Sequence, residues 1–165
     1  MRPGQPQKSG EGPTPETQAR AEKSFEIATH SAAETLDFGR TLARELHSPC
    51  LVLLEGDLGS GKTTLTKGIV SGLGLAREDE VTSPSFALVH EYGQGRKAYH
   101  VDLYRIEGPR ELATLGLEEL LGQPSVVIVE WGEKLGKYAA RAQFRIKMEH
   151  LASDDRKITV ERLAS

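Results

Sequence analysis

The chain has a single cysteine, Cys50, among its 165 residues. No internal disulfide can form, and a lone thiol beside an apolar run reads as a small buried hydrophobe in a reducing compartment. Long apolar runs are missing as well. No stretch approaches the length of a membrane span, and the opening residues contain no signal-peptide hydrophobic region. The expected location is cytoplasmic, with no membrane partner. Basic charge is not in excess either: 21 Lys and Arg stand against 24 Asp and Glu, for a formal net charge of −3. A DNA or RNA binder held mainly by a broad phosphate-seeking field is excluded, and only a local basic patch stays open. The five histidines show no close spacing with cysteine or one another that would build a zinc site. There is no G-x-S-x-G nucleophile signature and no internal repeat.

What is present has the length of one domain with a real core. Residues 1–22 are rich in Pro, Gly, Gln and charge and read as a disordered tail of unknown role. The domain is expected over 23–165, its first strand in "FEIAT" beginning near Phe25. Ser31 and Glu34 then form a capping box, with Ala32, Leu36, Ala43 and Leu46 on one helical face behind it. "CLVLL" (50–54) is apolar at consecutive positions, as in a strand covered on both faces. A Gly-rich loop and a helix over roughly 62–73 follow, stopping at Gly72 or Gly74. "FALVHEY" and "KAYHVDLY" read as two strands around a glycine turn. "GPRELATLGLEELLG" reads as two short helices broken at Gly116. "VVIVE" is a buried strand, and "AQFRIKMEH" alternates like an antiparallel strand with one wet face, with "KITVERL" returning beside it. The fold expected is α/β: a three-layer, P-loop NTPase-like domain whose mixed sheet is parallel at its centre with antiparallel additions.

Residues 56–63, "GDLGSGKT", match G-x-x-x-x-G-K-[ST] in full, with a buried strand before and a helix after. Small residues let backbone N–H groups curl around an anion, and the helix points its positive end at the same place. The nucleotide-binding residues expected are Gly56, Asp57, Leu58, Gly59, Ser60, Gly61, Lys62, Thr63 and Thr64. Lys62 supplies a point charge to the β and γ phosphates, and the Thr63 hydroxyl is the expected magnesium ligand. A dinucleotide-binding reading of "GDLGSG" fails, because its glycine spacing is wrong and the loop runs into Lys-Thr.

A P-loop needs an acid beside its magnesium, and two are available. Glu130 ends the "VVIVE" strand, followed by the chain's only tryptophan, Trp131. It can hold the metal through water or position an attacking water. Asp102, in "YHVDLYR", sits among apolar residues, where a charge needs a metal or a hydrogen-bonded partner; an ion pair with Arg105 is the plainer reading. Which acid dominates at the metal is left open. Catalytic roles fall to Glu130, Asp102 and Lys62, and metal ligation to Thr63, Glu130 and Asp102. In "VTSPSF", the hydroxyls of Thr82, Ser83 and Ser85 form a switch-like loop able to sense the γ-phosphate, although Ser and Thr are also ordinary turn residues. No motif marks the adenine contacts; Lys134 and the strand–helix junction near Thr29 are the candidates.

The order "GDLGSGKTTLTKGI", "VTSPSF", "HVDLYR" and "VEWGEKL" resembles the bacterial TsaE (YjeE-like) P-loop ATPases over roughly residues 24–165. That resemblance implies a role in the threonylcarbamoyl modification of the adenosine beside the anticodon of tRNA. It implies ATP and Mg²⁺ as cofactors, and hydrolysis that is slow alone and supports the partner proteins TsaD and TsaB. Transfer is the work of TsaD, and tRNA is met through the complex. It assigns the family's HxDxYR acid to Asp102 and its strand-end acid to Glu130. Two departures are visible: "SPSF" stands where "SPTF" is expected, and "EWGE" where "EWPE" is commoner, the second expected to loosen the backbone after Trp131. A small-molecule kinase is the alternative, disfavoured because no long Arg-rich lid segment follows. A GTP switch lacks an Asn-Lys-x-Asp guanine reader, and a non-catalytic nucleotide sensor is a further option.

Overall fold

Cys50 to Leu54 are all buried, so the strand they form must be covered on both faces and paired on both edges. In the computed structural model, which describes residues 21–84 and 88–163, that strand is β2 (Cys50–Glu55). It runs parallel to β5 (Ser125–Glu130) on one side and to β6 (Phe144–His150) on the other. β4 (Lys97–Asp102) adds in parallel beyond β5, and β3 (Val89–Tyr92) closes that edge antiparallel. β7 (Arg156–Leu163) and β1 (Ala21–Thr29) extend the opposite side antiparallel. The sheet order among the described residues is β1-β7-β6-β2-β5-β4-β3.

Alternation along the strands divides the core into two layers. On one face Val52, Leu54, Val126, Ile128 and Ile146 pack under α1 (Ala32–Ala43) and α2 (Lys62–Gly72). On the other, Leu51, Leu53, Val127 and Val129 meet Leu112 of α3 (Pro109–Leu112), Leu117 of α4 (Leu117–Leu121), and Leu135. This is the expected three-layer α/β fold with a parallel centre. Leu65 and Ile69 of α2 are fully buried, and truncating either to Ala should cost about 2–5 kcal/mol.

Several local expectations change on contact with the structure. β1 starts at Ala21, four residues ahead of Phe25; residues 1–20 lie outside the described chain. The face α1 buries is Thr35, Gly39, Leu42 and Ala43, whereas Ala32 is exposed and Leu36 half-buried. The reason is close approach. A Cβ on Gly39 would sit 2.7 Å from the Leu65 carbonyl oxygen, and one on Gly68 would sit 2.3 Å from that of Leu36. The two helices therefore meet backbone to backbone, and the small residues decide the face. Ser31 caps α1 by accepting from Glu34 N–H at 3.1 Å, but Glu34 reaches back one residue further than a capping box requires, to His30 N–H at 3.0 Å. β6 does have one buried face, yet it is parallel to β2 and antiparallel only to β7. The break at Gly116 is present, with φ +70° between the two short helices.

Candidate nucleotide-binding site

Parallel strands carry their ligand sites at the carboxyl ends, and here β2, β5 and β4 end together. β2 runs into the Gly56–Gly61 loop, and α2 leaves it at Lys62. Gly61 has φ +104° as the residue preceding α2, and Gly59 has φ +79°, backbone that a side chain disfavours. A Cβ on Gly56 would lie 2.5 Å from the Met148 carbonyl oxygen, so this turn can close only on glycine. The first-turn N–H groups of α2, which no helical carbonyl can satisfy, face the open end of the loop.

Lys62 is buried. Its ammonium donates to the carbonyl oxygens of Gly56 and Asp57, the latter at 3.0 Å, and lies 4.3 Å from the centre of the Trp131 ring. Burial pushes its pKa down, opposed by the negative charges of Glu130, Glu133, Asp102 and Asp57. Across from it Thr63 donates its hydroxyl to Glu130, 3.3 Å from Oε1 and 3.1 Å from Oε2. Glu130 is only 4 % exposed, and a carboxylate so buried requires donors. Its second polar partner is His100, whose Nε2 hydrogen-bonds with Oε2.

Asp102 is half-buried beside Glu130, the two Cα atoms facing one another in the β4–β5 register. It accepts from Ser83 Oγ at 3.0 Å and Tyr104 N–H at 2.9 Å. Arg105, the proposed ion-pair partner, lines the cavity. Of the switch-like residues, Ser83 is thus tied to Asp102, while Thr82 is exposed with its N–H 3.3 Å from the Tyr92 hydroxyl. Ser85 lies outside the described residues. Leu58, Gly59, Gly61, Lys62, Thr63 and Thr64 line a cavity of about 470 Å³, together with Ser83, Asp102, Glu130, Trp131, Tyr104 and Arg156. Gly56, Asp57 and Ser60 build the loop without lining that cavity, Ser60 being buried beneath it.

Neither of the two adenine candidates lines that cavity. Lys134 donates to the carbonyls of Tyr104 and Ile106, at 2.6 and 3.1 Å, and so ties down the chain after β4. Thr29 is buried, its hydroxyl 2.8 Å from that of Thr35. Gly132 does not loosen the backbone after Trp131; it packs flat on β2, where a Cβ would come 2.8 Å from Leu53 Cβ. Two residues went unread in the sequence. His100 stands two positions before Asp102, a spacing that puts both side chains on one face of a strand, which was the available signal. Arg156 reaches the loop from β7, and no local signal in the sequence marks it.

The donor set fits magnesium: the Thr63 hydroxyl and the carboxylates of Glu130 and Asp102 are hard oxygens. Among the described residues no group of three or more His, Cys, Asp or Glu forms a metal cage. Magnesium commonly takes one or two protein carboxylates and completes its shell with phosphate oxygens and water.

A phosphate cradle between a buried parallel strand and a helix, with acids on the neighbouring strands, defines a P-loop nucleotide-binding protein. The sequence model described as "Threonylcarbamoyl adenosine biosynthesis protein TsaE" matches residues 29–158, and the chain belongs to the TsaE family. A Treponema pallidum protein named tRNA threonylcarbamoyladenosine biosynthesis protein TsaE is 33% identical over 80% of this chain and 96% of its own length. One of the same name from a Nostoc species is 44% identical over 61% of this chain; the match spans 64% of that relative, just short of two thirds. The crystal structure of YdiB from Bacillus subtilis superimposes with a TM-score of 0.70 at 30% identity, covering 86% of this chain and 87% of that one. Among the described residues no helix is long and apolar enough to cross a membrane.

Proposed function

We propose that this chain is the ATP-hydrolysing subunit needed for threonylcarbamoyl modification of the adenosine next to the tRNA anticodon, acting in the cytoplasm with the TsaD–TsaB pair. The observation that carries the ATPase part is the meeting of Thr63 and Glu130 across the P-loop, 3.1 Å apart at the edge of the cavity. The tRNA part rests on membership of the TsaE family and on the names of its relatives. The working unit is the single domain 23–165.

Each residue has a task in this reading. Gly56 to Thr64 wrap the phosphates, with Lys62 leaving the Gly56 and Asp57 carbonyls for phosphate oxygens. That exchange replaces neutral acceptors with charged ones, which make roughly twice as strong a hydrogen bond. Thr63, Glu130 and Asp102 would hold Mg²⁺, which when bound neutralises charge on the β and γ phosphates. Glu130 orients the attacking water, and Asp102 links the metal side to Ser83. Alone the chain turns over slowly, because P-loop subunits often wait for a partner to complete the site.

The deciding experiment measures ATP turnover with and without purified TsaD–TsaB, with GTP as control. Turnover that rises with the pair is expected. Turnover indifferent to the pair would leave a nucleotidase with another client and return the small-molecule kinase to the front.

A further inference from the structure

Glu130 projects from β5 toward α2, on the same face as Ile128, and His100 and Asp102 project to that face from β4. His100 is completely buried, with Nε2 on Glu130 Oε2. Its Nδ1, equally buried, has no hydrogen-bond partner among the described residues. This combination selects a tautomer. With the proton on Nε2, the ring donates to Glu130 and turns a bare lone pair toward the core. With the proton on Nδ1, a buried N–H would be orphaned and two acceptors would face each other at Glu130, a far costlier arrangement.

We propose that His100 is the positioning residue of Glu130. Its Nε2–H pins Oε2, so the carboxylate cannot rotate freely at the end of β5 and both of its oxygens stay within reach of the Thr63 hydroxyl at the cavity edge. His100 touches neither nucleotide nor metal and acts only through Glu130. The arrangement explains why one strand carries His and Asp two apart: Asp102 reaches the rim, while His100, one step deeper, holds the neighbouring acid. Partners that orient a metal-linked side chain in this way typically influence metal affinity or activity by about 10- to 100-fold when removed. The inference rests on the reading of Glu130 as the metal-linked acid.

Two substitutions in the full chain test it. His100→Leu removes the donor while keeping an apolar body, and His100→Gln returns an N–H close to the Nε2 position. ATP affinity is measured through Trp131 fluorescence with Mg²⁺ and with EDTA, and turnover is measured in parallel. His100→Leu should leave affinity in EDTA near the wild-type value, reduce the gain on adding Mg²⁺ no more than a few-fold, as losing the Glu130 charge itself would, and lower turnover by roughly tenfold or more, with His100→Gln recovering most of both. A wild-type response in His100→Leu, or equal loss in both variants including binding in EDTA, would overturn the assignment. A third measurement needs neither nucleotide nor turnover. ¹⁵N NMR of the imidazoles should show His100 protonated at Nε2, with that signal shifting in Glu130→Gln; a proton on Nδ1 alone would overturn the proposal even if His100→Leu failed to fold. Absence of ATP hydrolysis by the wild type, with the Nε2–H signal present, would remove the ATPase reading and leave the positioning of Glu130 intact.

Discussion

Thr63 and Glu130 meet across the seam between α2 and β5, hydroxyl to carboxylate, at 3.1 and 3.3 Å. Both are hard oxygen groups on rigid elements, of the kind that would hold a magnesium ion. β5 is buried along its whole length, so the carboxylate is delivered by a strand with little freedom. Sites on such elements hold their geometry better than sites on loops.

Replacing Glu130 with Gln keeps the shape of the side chain and a hydrogen-bond acceptor for Thr63, but removes the charge. ATP affinity should fall only a few-fold, whereas hydrolysis should fall by roughly 10²-fold or more, the usual scale for a positioned acid–base group. Steady-state turnover set against equilibrium binding separates the two effects. Turnover at the wild-type rate would transfer the role to Asp102.

Lys62→Ala acts on binding itself. A charge-assisted contact contributes about 1.5–3 kcal/mol, so ATP affinity should drop roughly 10- to 100-fold. The variant also removes the cation 4.3 Å from the only tryptophan. Wild-type fluorescence should change on adding ATP, as Lys62 turns to the phosphates, while Lys62→Ala should show little response at the same ATP concentration. Unchanged affinity, measured calorimetrically, would refute the P-loop assignment.

The P-loop, its flanking strand and helix, and the strand ending in Glu130 were legible because each is a local pattern: glycine spacing, continuous apolar runs, an acid at a boundary. What escaped depends on residues far apart in the chain. β6 alternates as any half-buried strand does, and nothing in its residues says that it lies parallel to β2, 92 positions earlier at every pair. Ala32 and Leu36 looked like a buried stripe because leucine and alanine carry the helical period; the contact is instead set by Gly39 and Gly68, residues without a side chain to read. His100 was in view as part of a motif, but its task appears only once β4 lies beside β5. Gly132 looked like slack and is a point of contact with Leu53.

His30, in the turn after β1, pairs with Asp155 in the turn before β7, Nδ1 to Oδ1 at 2.9 Å. The hydrogen bond that the imidazole makes to this carboxylate, then the carboxylate's charge, raises the imidazole pKa above its ordinary 6.5. A raised folded-state pKa means the pair adds stability that is fully present below about pH 6.5 and is lost as pH climbs through the raised value. An NMR titration should find His30 above 6.5 and returning toward it in Asp155→Asn. Equal midpoints in the two proteins would show that the pair does not form in solution.

Gly68→Ala tests the helix contact that the sequence concealed. The added methyl would stand 2.3 Å from the Leu36 carbonyl oxygen and 3.0 Å from Gly39 Cα, backbone that can yield only if α1 and α2 separate. Alanine favours a helix over glycine by about 1 kcal/mol, so any destabilisation observed is net of that gain. Overpacking of this kind typically costs about 1–3 kcal/mol, which for a chain of this size lowers the melting midpoint by roughly 2–12 °C. Gly95→Ala is the control, since no atom lies within 4 Å of its Cβ position, and it should shift stability by no more than about 0.5 kcal/mol. The same strain must reach function: α2 begins at Lys62 and Thr63, so moving the helix to admit a methyl moves the phosphate cradle. Gly68→Ala should therefore weaken ATP binding even at temperatures where it is fully folded. A variant that melts with the wild type and binds ATP equally well would mean that the helices do not meet through their glycines.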